Sequence, residues 1–370
     1  MRSKLSSHKN TTPIDFDVSS GGVISVLAGA GSLSALELAG VNLRMRGGAS
    51  GGAIVTALSA IGRTPKELLR LGITEDFGAK VDLNGGILGS LETAKRKLKN
   101  LIRKYSKDAG IELLTNEENW LTTGLLGTVN LGNFIEKHAD ELGMGNTWPE
   151  NYWTVATKND GSQVVFTKDG VFHLTLEGRK IQLTDEPAPL SLAVRASGAI
   201  PGVMTAIEFM DMLLFDGAMS RDGHCPTGIR IRHFNANPEQ ILSCRIGEDA
   251  QHYIMGPAQR TVRRMLMIHP DFHWGPETAG VMEFRPAIEH IHGLKFNLSA
   301  DEKWLAILIA FDACAHALAF NGLLHGKQLK EAREIMRAIG YWRNLQPAAV
   351  DAEQILAPRA EKVFAEHGLY

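Results

Sequence analysis

The sequence predicts an α/β fold with helices layered around a central sheet. Short apolar or β-branched runs alternate with longer helix-like stretches along the chain. That is the pattern of mixed layers, not of a helical bundle or a β-sandwich. With 370 residues, 44% of them hydrophobic, the chain is long enough to bury a large core.

Taken in order, residues 1–13 are polar and basic, and are expected to form a disordered tail. They lack the apolar run of a secretory signal. Residues 14–18 read as extended and end in Ser19-Ser20-Gly21-Gly22. Residues 23–27, V-I-S-V-L, read as the first good strand. Ala28-Gly29-Ala30-Gly31 then reads as a turn, and 32–39 as a short helix stopped by Gly40. Residues 41–46 read as a short strand and 53–60 as a buried helix. Thr64-Pro65-Lys66-Glu67 is a capping box with proline at the first helical position.

Residues 91–105 set Leu91, Ala94, Leu98, Leu101, Ile102 and Tyr105 among six cations, a basic amphipathic helix. A further helix is expected over 129–142. Residues 152–157 read as a strand, and 164–167 with 171–174 as a hairpin about Lys168-Asp169-Gly170. A helix over 190–196 precedes Ser197-Gly198-Ala199-Ile200-Pro201. The strand 212–215 runs into Asp216-Gly217, and 241–246 reads as another strand. Beyond 255 the pattern is mostly helical. Residues 304–324 are apolar and about long enough to span a bilayer, but Asp312 and His316 interrupt them four residues apart. A buried core helix carrying an Asp–His pair is the expectation there.

The formal net charge is -2. Nucleic-acid binding rests largely on phosphate neutralisation, so this balance argues against it. Cys225, Cys244 and Cys314 are widely spaced and odd in number, which gives neither a disulfide framework nor a C-x-x-C pair. A reducing, cytoplasmic setting is the expectation. The histidines of 269–273 and 290–292 match no common zinc spacing, and no metal is expected.

The chemistry-bearing motif is Gly48-Ala49-Ser50-Gly51-Gly52, a G-x-S-x-G between a strand and a helix. A serine there sits on a sharp turn that lifts its hydroxyl beside a helix N-terminus. Gly48, Gly51 and Gly52 let the backbone make that turn. A serine nucleophile needs a base and an oxyanion site. Asp216, at the end of a strand and followed by Gly217, is the candidate base. The backbone N–H groups of Gly29, Ala30 and Gly31 are the candidate oxyanion donors. Alone, Asp216-Gly217 reads better as an ordinary turn, and Gly29-Ala30-Gly31 reads equally as one.

In order, a glycine-rich turn, G-x-S-x-G, A-I-P-G and D-G-A resemble the patatin-like phospholipase family. The longest match is Arg195-Ala196-Ser197-Gly198-Ala199-Ile200-Pro201-Gly202, just ahead of the Asp216 strand. The resemblance covers roughly residues 23–245. It implies a three-layer α/β/α core over 14–245 with a mostly helical C-terminal extension over 246–370. It also implies a cofactor-free Ser50–Asp216 dyad that hydrolyses acyl-lipid esters through an acyl-enzyme.

The family's turn reads G-G-G, small, basic, glycine. Set on Gly29, it leaves Ala30, Leu33 and Ser34 as departures. These motivate an alternative: a catalytically weak module acting through lipid or protein binding. A dinucleotide-binding reading of the same turn requires 23–27 to be a strand and lacks its third glycine at Ser34. Peripheral contact with anionic membrane is a further expectation, carried by the basic helix 91–105. A solvated face over a packed stripe reads that helix equally well.

Overall fold

The computed structural model describes residues 13–80, 82–83, 126–201, 203–220, 222–246, 278–288, 291, 297–340 and 356–370. The expected basic helix at 91–105, residues 1–12 of the tail, His269, His273, His290 and His292 lie outside the described residues.

The first half alternates strand and helix. β1 (Ile14–Val18) leads into α1 (Val23–Leu38), then β2 (Leu43–Gly48), α2 (Gly51–Ala60) and α3 (Pro65–Thr74). The capping box forms: Thr64 accepts the Glu67 N–H while the Glu67 carboxylate takes the Thr64 N–H. A 3-10 turn (Phe77–Lys80) and the two-stranded pair β3 (Asp82–Leu83) and β4 (Leu126–Gly127) precede α4 (Val129–Glu141). The meander follows as β5 (Tyr152–Lys158), β6 (Gln163–Thr167), β7 (Gly170–Leu174) and β8 (Lys180–Thr184). Then come α5 (Leu190–Ser197), the hairpin β9 (Ile207–Phe209) and β10 (Met212–Phe215), α6 (Thr227–Phe234) and β11 (Ile241–Cys244). The C-terminal part adds β12 (Met282–Phe284), α7 (Ala300–Phe320), α8 (Gly326–Ile339) and α9 (Leu356–Glu366).

The main sheet runs β12-β11-β1-β2-β5-β6-β7-β8. From β12 to β5 neighbours are parallel; from β5 to β8 they are antiparallel. Strand alternation sends side chains to two covered faces. On β5, Tyr152 and Ala156 enter the main core, whereas Trp153 and Val155 pack with Ile229 of α6 on the other side. The fold is therefore three layers, with a mostly helical C-terminal part. That part is not wholly separate, because β12 joins the sheet beside β11 and carries it past the expected boundary at 245.

Two expectations are corrected. Residues 23–27 are not a strand and 28–31 are not a turn; both lie inside the single 16-residue helix α1. Their β-branched run suggested a strand, but α1 is buried on nearly every side, from Val23 through Leu36. A helix covered all round loses the polar stripe that would reveal its period. Without a strand at 23–27, the dinucleotide-binding alternative has no scaffold. The Asp312–His316 pair forms at 3.3 Å, but His316 is 62% exposed, so the pair sits at the helix surface instead of in the core.

α7 is, among the described residues, the helix long and apolar enough to cross a membrane. Two-thirds (67%) of its apolar window is buried inside the fold. Close packing on α1, by α7 and by α2, explains the glycines of that helix. A Cβ on Gly31 would lie 2.3 Å from the Ile307 carbonyl oxygen of α7, and one on Gly29 would lie 2.4 Å from Val55 of α2.

Candidate active site

The site is built where three chain segments end together. β1 ends at Val18, and Ser19-Ser20-Gly21-Gly22 carries the chain to the N-terminus of α1. This loop is pinned at several points. Ser19 donates its N–H to Cys244 O at 3.0 Å and accepts the Ile246 N–H on its hydroxyl at 2.8 Å. Ser20 donates its N–H to His224 O at 2.7 Å. Gly22 caps α1 at φ 60, ψ -139, a conformation that side chains resist. The first N–H groups of a helix have no partner within it, and they point at the space ahead of the helix.

The glycine-rich turn after the first strand is therefore Gly21-Gly22, not Gly29-Ala30-Gly31. The latter three sit mid-helix, where the N–H groups are spent on the preceding turn. They are withdrawn as oxyanion donors.

Ser50 stands between β2 and α2 at φ 54, ψ -124, one of five described non-glycine residues with positive φ. A buried serine at positive φ on a strand–helix junction has the backbone that a nucleophile turn requires. The surrounding glycines are required by close approach. A Cβ on Gly51 would lie 1.9 Å from Gly22 O; on Gly52, 2.3 Å from Val18 O; on Gly48, 2.5 Å from Gly52 O. The serine turn and the Gly21-Gly22 loop are thus packed backbone to backbone.

Asp216 arrives from the opposite direction. β2 pairs with β5 up to Gly48, opposite Thr154. β10 pairs with the same strand from its other end, and Phe215 lies opposite Thr157. Three residues of strand span about 10 Å. Ala49-Ser50 and Asp216-Gly217 fill that interval head-on. A Cβ on Gly217 would lie 3.3 Å from the Ala49 Cβ.

Both carboxylate and serine are almost fully buried, at 1% and 3% exposure. Asp216 Oδ1 accepts the Ala218 N–H at 2.8 Å, and its carbonyl accepts the Thr157 hydroxyl at 2.8 Å.

The R-A-S-G-A-I-P segment ties the two residues together. Ser50 donates its N–H to Ser197 Oγ at 3.0 Å, and Asp216 donates its N–H to Ala199 O at 2.8 Å. Thr154 Oγ1 lies 2.8 Å from Gly48 O and 3.1 Å from Ser197 Oγ. A single turn at the end of α5 therefore fixes the backbone of both candidates.

Ser50 opens into a cleft of about 490 Å³, its open mouth included. Gly22, Val23, Val26, Ile54, Phe77, Leu131, Ile200 and Met204 give it an apolar wall, and Lys80 lines it as well. Asp216, which follows β10 beside β5, is not among the described residues that line the cleft. On the far face of the sheet, Arg230 of α6 bonds Asp17 at 2.6 Å and Asp15 at 3.3 Å, directly beneath the loop. Burial pushes the Asp17 carboxyl up, and Arg230 opposes that shift. No cluster of three or more His, Cys, Asp or Glu placed for a metal ion occurs among the described residues.

A family model, patatin-like phospholipase, matches residues 18–227, more than half of the chain. No curated protein matches the sequence. Among solved structures, VipD from Legionella pneumophila is similar at 13% identity and a TM-score of 0.46, covering 97% of this chain and 85% of that one. The type III effector protein ExoU gives 18% identity and a TM-score of 0.32, over 97% of this chain and 70% of that one. Human GIVD cytosolic phospholipase A2, bound to methyl gamma-linolenyl fluorophosphonate, gives 13% and 0.39 over 87% of this chain and 60% of that one.

Proposed function

The chain belongs to the patatin-like phospholipase family, and from that premise we propose that it is a lipid acyl hydrolase working through a Ser50–Asp216 dyad. Asp216 takes the Ser50 hydroxyl proton as Oγ attacks the ester carbonyl. The tetrahedral oxyanion faces the backbone N–H groups of Gly21, Gly22 and the first turn of α1. As the intermediate collapses, Asp216 returns the proton to the leaving alcohol. The acyl-enzyme is then cleaved by a water that Asp216 deprotonates, which regenerates Ser50. The apolar cleft suits an acyl chain.

The observation that carries this reading is the head-on meeting of β2 and β10 along β5, with Ala49 against Gly217. The weak-module alternative rested on Ala30, Leu33 and Ser34, which belong to α1. Set on Ser20 instead, the family's turn pattern leaves Ser20, Val23, Ile24 and Ser25 as departures, all buried. Oxyanion donors are backbone groups, and these side-chain changes keep them.

The test is hydrolysis of a lysophospholipid and of a medium-chain aryl ester. Ser50→Ala and Asp216→Asn each lower kcat by at least about a thousandfold while the fold persists. Equal rates for wild type and Ser50→Ala reject the enzyme reading.

A further inference from the structure

We propose that Lys80 is a specificity-determining residue that holds the phosphodiester of a phosphate-bearing acyl lipid. The inference rests on the Ser50 hydrolase reading. Among the described residues lining the cleft into which Ser50 opens, Lys80 is the one charged side chain. Cation placement in an otherwise apolar site fixes orientation more than it adds bulk affinity. Lys80 and Ser50 line one and the same cleft, so an anion held at Lys80 belongs to the molecule whose ester meets the serine.

The side chain is pre-positioned. Its Nζ pairs with Glu75 at 2.9 Å and lies 4.8 Å from the centre of the Phe134 ring. The carboxylate of Glu75 uses one direction of an ammonium that has three N–H donors. The pair is only partly buried, 25% exposed at Lys80 and 28% at Glu75. Such pairs contribute little net stability and tolerate a second anion. Lys303 of α7 donates to the carbonyls of Ile73 and Glu75, so the end of α3 that carries Glu75, the partner of Lys80, is braced against α7. Acyl chain against the apolar wall and phosphate against Lys80 give the ester one orientation.

The experiment pairs turnover with binding. Lys80→Met keeps the stem and removes the charge; Lys80→Arg keeps the charge. Turnover compares a lysophospholipid with a monoacylglycerol of the same acyl chain in neutral detergent. Lys80→Met raises KM for the lysophospholipid about tenfold, the scale of one lost charge-assisted contact. Turnover of monoacylglycerol falls by less, so the preference for the lysophospholipid is lost, and Lys80→Arg restores it.

Binding uses decyl phosphate, decanol and inorganic phosphate on the full chain, with no hydrolysis required. Decyl phosphate weakens about tenfold in Lys80→Met while decanol does not. Equal losses on both substrates, or no change in decyl phosphate affinity, overturn the proposal. Inorganic phosphate binding as tightly as decyl phosphate also overturns it, in favour of a free-anion site. If decyl phosphate behaves as stated but Ser50→Ala hydrolyses at the wild-type rate, the catalytic reading fails and the Lys80 site stands.

Discussion

Gly21-Gly22 and Gly29-Ala30-Gly31 are near neighbours in sequence, and they use glycine for opposite reasons. The first pair makes a turn: Gly22 sits at φ 60, where a side chain strains the backbone. The second cluster is ordinary helix, and its glycines let α1 approach α7 and α2 at near-backbone distance. Glycine for conformation and glycine for proximity look identical in a sequence. They differ in what a methyl group does to them.

The largest effect falls on the turn. Gly22→Ala forces a side chain into a disfavoured region and tilts the N–H groups to which the proposed mechanism gives the oxyanion. A donor lost from such a site costs about 3 kcal/mol, so kcat falls roughly a hundredfold with a folded protein. Steady-state kinetics beside circular dichroism checks this.

Gly31→Ala gives the complementary result. Helix propensity alone favours alanine by up to about 1 kcal/mol. The new methyl meets the Ile307 carbonyl at 2.3 Å, and backbone cannot swing aside. Overpacking of about 1–3 kcal/mol wins. The thermal midpoint drops while kcat per folded molecule holds. Gly29→Ala costs less, because the atom in its way is a Val55 methyl and not backbone. Loss of kcat in Gly31→Ala without loss of stability contradicts the assignment of the two clusters.

Cysteine reactivity sharpens the contrast with the smallest effect. Cys225, Cys244 and Cys314 are free and buried. Burial pushes the Cys225 thiol up to about 11, and raises Cys244 and Cys314 further. At pH 8 all three are protonated and resist alkylation in the native protein. Cys314 lies 3.6 Å from Ser32 O in the α1–α7 seam. Gly31→Ala therefore speeds its alkylation, measured by mass spectrometry, and Gly22→Ala leaves it unchanged.

These variants also mark where the sequence was legible. The capping box at Thr64, the hairpin about Lys168-Asp169-Gly170 and the strand ending at Asp216 are local signals, and each appears within a residue or two of its expected place. Ser50 was readable because a strand, a turn and a helix announce themselves in consecutive residues.

The Gly21-Gly22 loop was not readable in the same way. β1 carries Asp15 and Asp17, which count against a buried strand in a single sequence. Their partners are Arg44 and Arg230, 29 and 213 residues away. Once paired, both acids fit beneath the sheet, and β1 becomes the strand that delivers Gly21-Gly22. Burial of α1 on both sides hid its helical period at the same time. Lys80 carried no motif at all; only the cleft gives it meaning.

Labelling with a fluorophosphonate acyl analogue, followed by peptide mapping, tests the central claim most directly. The account predicts one adduct, on Ser50, formed rapidly in wild type and strongly slowed in Asp216→Asn. A folded protein that takes no label on Ser50, or labels there equally fast without the Asp216 carboxylate, contradicts it.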